Sequence, residues 1–355
     1  MGQHPSGDKY GAQGRLPGGI LSIPLSAGLL GLVLAAACMG HMETSWLDAA
    51  RIITSRIPGL GDARAGLDEV LPVVIWDVRL PRILTSALVG GGLAVSGAVF
   101  QGLLLNPLAD PYTLGVSAGA AFGASLAIVL NIGFLGSASV PLFAFIGACV
   151  TLALVIYLSS ASQALSSHNL ILSGIIVTAI LSAGISFLKY MADEQVAVII
   201  FWLMGSFASK TWMDVGLTAG VISAGTLVCL FFSRDLNMIA LGRRSAAALG
   251  VDTRRTTLIL LVTASMMAAV CVSVSGIIGF VGLLVPHMMR AVTGPDNRVL
   301  IPISMTVGAT LLLFGDTVTR AVLPHEIPIG VLTALIGGPF FCYIFRRRQR
   351  GRSRF

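Results

Sequence analysis

One feature limits this chain more than any other: runs of about 18 or more residues with almost no charge, repeated along its length. A run that long crosses a hydrocarbon core of roughly 30 Å as a helix. About ten follow one another, at approximately 20–40, 83–104, 114–132, 140–160, 170–188, 215–233, 257–275, 277–290, 299–319 and 329–345. Backbone polar groups in lipid must be satisfied within their own segment, and the alternating stretches of about ten residues that build barrel strands are missing, so the segments are helices. With 55% of its residues hydrophobic, 11% charged and a mean hydropathy of +0.89, the chain reads as an all-α polytopic membrane protein.

Charge sets the expected orientation. With both termini inside, most of the 23 Lys and Arg fall on the cytoplasmic side, in the tails, the loop at about 234–256 and the tail "RRRQRGRSRF", while most of the 16 Asp and Glu fall outside. Both termini are therefore expected to be cytoplasmic. Anionic lipid accounts for the pI near 9.5, which gives no reason to invoke nucleic acid. The expected organisation is a cytoplasmic tail over 1–19, one ten-helix membrane domain over 20–345 and a basic cytoplasmic tail over 346–355. The external segment 41–82 should hold a short helix or turn. A rival reading of the first span takes Lys9 and Arg15, ahead of the apolar stretch ending "LAAACMG", as a leader with a lipoprotein-like site at Cys38; the run is longer than a leader's apolar core, and the span is expected to be retained.

In "GGGLAVSG", Gly90 with Ala94 and Gly92 with Ser96 stand four apart, a small-residue face that lets helix backbones approach closely where lipid offers no hydrophobic drive. The second span should thus be buried among other helices, and "GVSAGAAFGAS" predicts the same for the third. The five cysteines have neither metal-like nor disulfide-like spacing and read as small packing residues.

A transporter needs an energy source, yet the spans hold almost no ionisable residue to relay protons or bind a coupling ion. Asp316 and Arg320 stand at i, i+4 and suggest a local ion pair. His287 suggests a hydrogen bond between helices. "GSFASKT" from Gly205 imitates a phosphate loop, but Ser209 stands where a glycine must precede the lysine, and Trp202 and Trp212 flank it as interfacial anchors. The chain is then either a passive channel or one subunit of a machine driven from outside. In "SRDLNMIALGRRSAAALGVDTRRTT", Leu241-Gly242 and Leu249-Gly250 predict two short helices, each ended by glycine, with Asp252 capping the next span. Ala246, Ala247 and Ala248 give that loop a small face able to enter a cleft on another protein; a solvated loop is the alternative.

Several motifs together resemble one family, the FecCD-type permeases of ABC importers for iron chelates, haem and cobalamin. They are "RLPR" (79–82), "SGAVFQGLLLNPLADPYTLGVSAGA" (96–120), "WLMGSFASKTW" (202–212), "ALGRRSAAALGV" (240–251), "SGIIGFVGLLVPHMMR" (275–290), "DTVTR" (316–320) and "EIPIGVLTALIGGPFF" (326–341). The resemblance implies a ten-helix subunit in the inner membrane that pairs with a second copy around a central pathway. A cytoplasmic ATPase dimer would lie below it and a periplasmic or lipid-anchored binding protein above. It implies that Leu241, Gly242, Ala246, Ala247, Leu249 and Gly250 couple to the ATPase, that Arg79, Arg82 and Arg320 dock the binding protein, and that Ser167 and His168 form a cytoplasmic gate, although a histidine departs from the family's small hydroxyl residues there. No cofactor or metal is expected on this chain; ATP and Mg belong to the partner, and this subunit is not an enzyme. An iron chelate, siderophore or haem, is the expected cargo, with cobalamin the alternative. A passive channel would need charged rings or a carbonyl filter, and an ion-coupled transporter buried acids.

Overall fold

The computed structural model describes residues 18–39, 44–55, 70–160, 166–321 and 326–352. Residues 1–17 of the expected tail over 1–19, and the last three residues, lie outside them. The described residues form fourteen helices, besides three short 3-10 turns, and no strand. They are α1 (Gly18–Cys38), α2 (Trp46–Ser55), α3 (Val70–Leu103), α4 (Val116–Val129), α5 (Ser139–Ser159), α6 (Ser167–Met191), α7 (Val196–Leu203), α8 (Trp212–Phe231), α9 (Ser233–Ala240), α10 (Arg243–Ala248), α11 (Thr253–Ser275), α12 (Val281–Thr293), α13 (Asn297–Ala321) and α14 (Ile329–Arg352). Each expected span has a helix at its place. Six of the described helices are long and apolar enough to cross a membrane alone: α3, α6, α8, α11, α13 and α5 with the turn before it. The apolar parts of α1 and α14, and α4, are shorter, and α12 has 13 residues.

Helix α3 is the axis of the bundle. Its apolar window is 83% buried, against 28% for α6, which presents most of its side chains outward. The small-residue face explains the difference. Gly90 lies against the carbonyl of Gly308 in α13, and a Cβ on Gly97 would collide with the carbonyl of Gly282 in α12. Helix α4 packs likewise on α5, with Gly119 against Gly147 and Gly123 against the Phe143 carbonyl. Cys229 and Cys271 are buried, and Cys271 Sγ fills the space beside Gly92.

One expected span begins late. Between α11 and α12 the chain turns through Gly276 (φ +73°) and Phe280 (φ +67°), so the helix expected from residue 277 opens at Val281, in the middle of the bundle where Gly282 meets Gly97. The break is tied down from three sides. Tyr112 Oη donates to the Ile278 carbonyl at 2.7 Å, the Ser206 amide donates to the Ser275 carbonyl at 2.8 Å, and Lys210 Nζ donates to the Val274 carbonyl at 2.7 Å. Lys210 thus caps the end of α11, where the carbonyls lack intrahelical donors. Burial draws its pKa below the ordinary lysine range, with Asp214 opposing. Thr211 exchanges bonds with Asp214 in a capping box that opens α8. The apparent phosphate loop is a helix junction.

Candidate functional site

The bundle has two polar ends, and helices α3 and α13 run between them. At one end sit the three arginines picked from sequence. Arg79 and Arg82, on α3, are three residues apart and share a face; Arg320 comes from the last turn of α13. Arg79 is buried and its Nη1 donates to the Ala37 carbonyl at 2.9 Å and to Thr44 Oγ1 at 2.8 Å. Arg320, also buried, donates from Nη2 to the Ala36 carbonyl at 2.8 Å. The two guanidinium groups therefore cap the C-terminus of α1, whose last carbonyls attract cations.

Arg82 does different work. Its Nε and Nη2 embrace the Asp316 carboxylate at 2.9–3.2 Å, and Nη1 donates to Glu326 Oε1 at 3.1 Å. Asp316 is only 2% exposed at its side chain and Glu326 is 43% exposed, so the pair is buried on one side and open on the other. The local Asp316–Arg320 pair expected from i, i+4 spacing does not form. Helix packing turns Asp316 toward α3 and Arg320 toward α1, and the bidentate fork of Arg82 takes the carboxylate. All three arginines were expected to dock a binding protein; the structure gives each an intramolecular acceptor.

The other end carries the loop 233–252. Both expected short helices form. Helix α10 closes with a Schellman turn, in which Gly250 (φ +89°) donates to the Ala247 carbonyl at 3.0 Å and Val251 to the Ala246 carbonyl at 3.1 Å. Gly242 (φ +116°) makes the turn between the helices, and Asp252 Oδ1 accepts from the Arg255 amide at 3.0 Å at the start of α11. Leu241 and Leu249 are 77% and 65% exposed, which is costly for two large apolar side chains unless a partner covers them. Ala247 and Ala248 are exposed beside them, whereas Ala246 is fully buried and anchors α10. A cavity of about 480 Å³ opens next to Leu249, between Asp235 and Met238 of α9 and Asp252 and Arg255. Burial also draws the pKa of Arg243 below its ordinary range.

Ser167 and His168 lie at this same end, in the first turn of α6. Ser166 caps that helix by accepting from the Asn169 amide at 3.1 Å, Ser167 Oγ donates to the Leu103 carbonyl at the end of α3 at 3.4 Å, and His168 is exposed.

Two polar contacts were not foreseen. Gln101, buried in α3, donates from Nε2 to the Leu283 carbonyl at 3.0 Å and accepts from Arg290 Nη2 at 3.3 Å, which fixes α12 to α3. Asn237 of α9 reaches the turn before α13, donating from Nδ2 to Asp296 Oδ1 at 2.7 Å and accepting from the Asn297 amide at 2.9 Å and Asn297 Nδ2 at 2.7 Å. Bonds from Arg298, with desolvation opposing and Asn237 adding, hold the Asp296 carboxyl down to about 2. A polar side chain inside "FQGLL" was the available signal for Gln101; Asn237 looked like any loop residue.

Known proteins carry the same pattern. The model of the FecCD transport family matches residues 28–347. The cobalamin import system permease BtuC of Halobacterium salinarum is 42% identical over 80% of this chain and 76% of its own length. The molybdate import system permease MolB of Haemophilus influenzae is 40% identical over 83% and 89%, and the hemin transport permease HmuU of Yersinia pestis 39% over 79% and 85%. A solved structure described as an inward-facing conformation of a metal-chelate type ABC transporter superposes with a TM-score of 0.81 at 35% identity, covering 93% of this chain and 99% of that one.

Proposed function

The chain belongs to the FecCD transport family, a family of membrane permease subunits whose ATPase activity lies in a partner, and from that premise we propose that it is the permease of an importer that takes a metal chelate from a binding protein. The observation that carries this reading is the pairing of two ends. An arginine-rich end and an exposed leucine-bearing two-helix loop are joined by helices whose interior, among the described residues, holds no Asp, Glu, Lys or Arg. Energy has to enter at an end.

In this reading the 233–252 loop faces the cytoplasm, as do both termini, and Leu241, Ala247 and Leu249 seat in the ATPase while Ala246, Gly242 and Gly250 hold their shape. The arginine end faces outward. Arg82, with its open Glu326 side, offers the first contact to a binding-protein carboxylate. Arg79 and Arg320 bond to neutral carbonyls, which a carboxylate outcompetes as an acceptor. Ser167 and His168, beside the end of α3, narrow the cytoplasmic exit. Ten spans pair with those of a second copy in the inner membrane, and this chain binds no cofactor of its own.

An iron chelate is the proposed cargo. A cobalamin permease at 42% identity supports cobalamin as the second reading, while a molybdate permease at 40% shows that identity alone does not select among them. The test is uptake into vesicles holding the permease, its ATPase and its binding protein, offered ferric siderophore, haem, cyanocobalamin or molybdate in parallel. ATP-dependent accumulation of cobalamin alone overturns the iron assignment, and accumulation of all four without ATP overturns the importer.

A further inference from the structure

We propose that Asn237 is the joint that passes movement of the 233–252 loop to the far end of the bundle along α13. The proposal rests on the coupling reading of that loop and goes beyond it by naming the route. Asn237 belongs to the loop, yet its side chain occupies the N-terminus of α13. There it takes the amide of Asn297, one of the donors a helix leaves without an internal acceptor, and bonds Asp296, whose carbonyl accepts from the Leu300 amide at 2.9 Å in the first turn. A displacement of α9 therefore pulls on the end of α13.

Helix α13 then runs for 25 residues, with Pro302 in its second turn, to the arginine end, where Asp316 is held by Arg82 and Arg320 by the end of α1. Between the two ends it packs closely on α3, where Gly90 and Gly308 face each other with no room for a side chain on either. Such a contiguous packed element, bonded at both termini, is what carries coupling between distant sites. The joint itself is not over-determined. Asn297 is fully buried, yet its Oδ1 has no hydrogen-bond partner among the described residues, and a partly satisfied buried network rearranges at less cost than a complete one. Asn237 is a positioning residue, since it acts through α13.

The test uses the assembled complex of this chain with its co-expressed ATPase. Ile327, exposed beside Glu326, is replaced by cysteine in a Cys38→Ser, Cys342→Ser background, and its labelling by a membrane-impermeant maleimide is timed with and without trapping by ATP and vanadate. Trapping should change the rate severalfold. Asn237→Asp, which sets a second carboxylate against Asp296, should abolish that change while the ATPase still co-purifies, and the exchange Asn237→Asp with Asp296→Asn, which restores donor and acceptor, should bring it back. If Asn237→Asp does not assemble, Asn237→Ala carries the same expectation. A trapping response that survives in the single variants overturns the joint, as does an unaltered protein with no response to trapping. Failure of the ATPase to co-purify with the unaltered chain overturns instead the coupling reading on which the joint rests.

Discussion

The Arg82–Asp316 pair makes a prediction with a calculable size. At 2.9 Å, two unit charges attract by about 6 kcal/mol in an effective dielectric of roughly 20. Desolvation of both groups cancels much of this, but removing one partner leaves the other's desolvation uncompensated, and breaking such a pair typically costs about 3–5 kcal/mol. Arg82→Met should therefore lower the stability of the detergent-solubilised chain by about that amount, because Asp316 is 2% exposed and cannot turn to solvent. Asp316→Leu should cost less than the same change in a lone pair, since Glu326 still holds one edge of the guanidinium. The double variant should recover most of the loss, as two apolar residues leave no stranded charge. Equilibrium unfolding of the four proteins closes the cycle. A coupling below about 1 kcal/mol, the ordinary worth of an exposed pair, would refute the argument that burial makes this interaction large. The cycle also separates two roles: weaker binding-protein affinity in Arg82→Glu counts for docking only if the variant's own stability is restored by Asp316→Arg.

Three further outcomes are expected. Leu249→Arg should leave the protein inserted but abolish co-purification of the ATPase, because a charge in a packed socket goes unpaired; normal ATPase recovery would exclude Leu249 from the interface. Gly97→Ala should destabilise the bundle by about 1–3 kcal/mol through its collision with the Gly282 carbonyl, whereas Gly28→Ala, with nothing within 4 Å of the new methyl, should be near neutral; equal unfolding midpoints would contradict the close approach. Asp296 has a folded pKa of about 2, below its unfolded value, so its contribution to stability is complete above about pH 4 and is lost as pH falls through 2. The stability gap between the unaltered protein and Asp296→Asn should close over that range, and a gap independent of pH would mean that the carboxylate is not the group at work.

What the sequence made legible, and what it hid, divides along one physical line. The apolar helices, the burial of α3, both glycine-ended helices and the Asp252 cap all follow from residues within a few positions of one another, where helical period and backbone conformation decide the outcome. The late start of α12 was local too, but two glycines spread over four residues read as tolerable inside an apolar run until Phe280 adopted a positive φ. Helix α7, eight residues long, is too short to register as a span. Partners across the bundle were the real loss. Arg82 and Asp316 are 234 residues apart, and the i, i+4 rule offered Arg320 instead. Asn237 meets Asp296 and Asn297 59 and 60 residues along the chain, a smaller separation but still beyond any local rule.

The arginines at the first bundle end show how much that hidden layer alters a functional reading. Three cations near span ends invite the idea of a surface waiting for a partner, and against it sequence offers only interfacial anchoring and a local Asp316–Arg320 pair. In the folded chain Arg79 and Arg320 are spent on the last carbonyls of α1, and Ala36 and Ala37, whose carbonyls they take, are themselves buried among Ile83 and Leu313. Helix α1 is thus held at one end by two of the arginines proposed to dock a binding protein. If a partner's carboxylates draw those guanidinium groups away, the end of α1 is released in the same step; if they do not, docking falls to Arg82 and its exposed neighbour Glu326. The two cases differ in an observable way. Arg79→Met and Arg320→Met should loosen α1 in the isolated chain, raising the maleimide reactivity of half-buried Cys38, and a binding protein that works by displacement should produce the same rise in the unaltered chain.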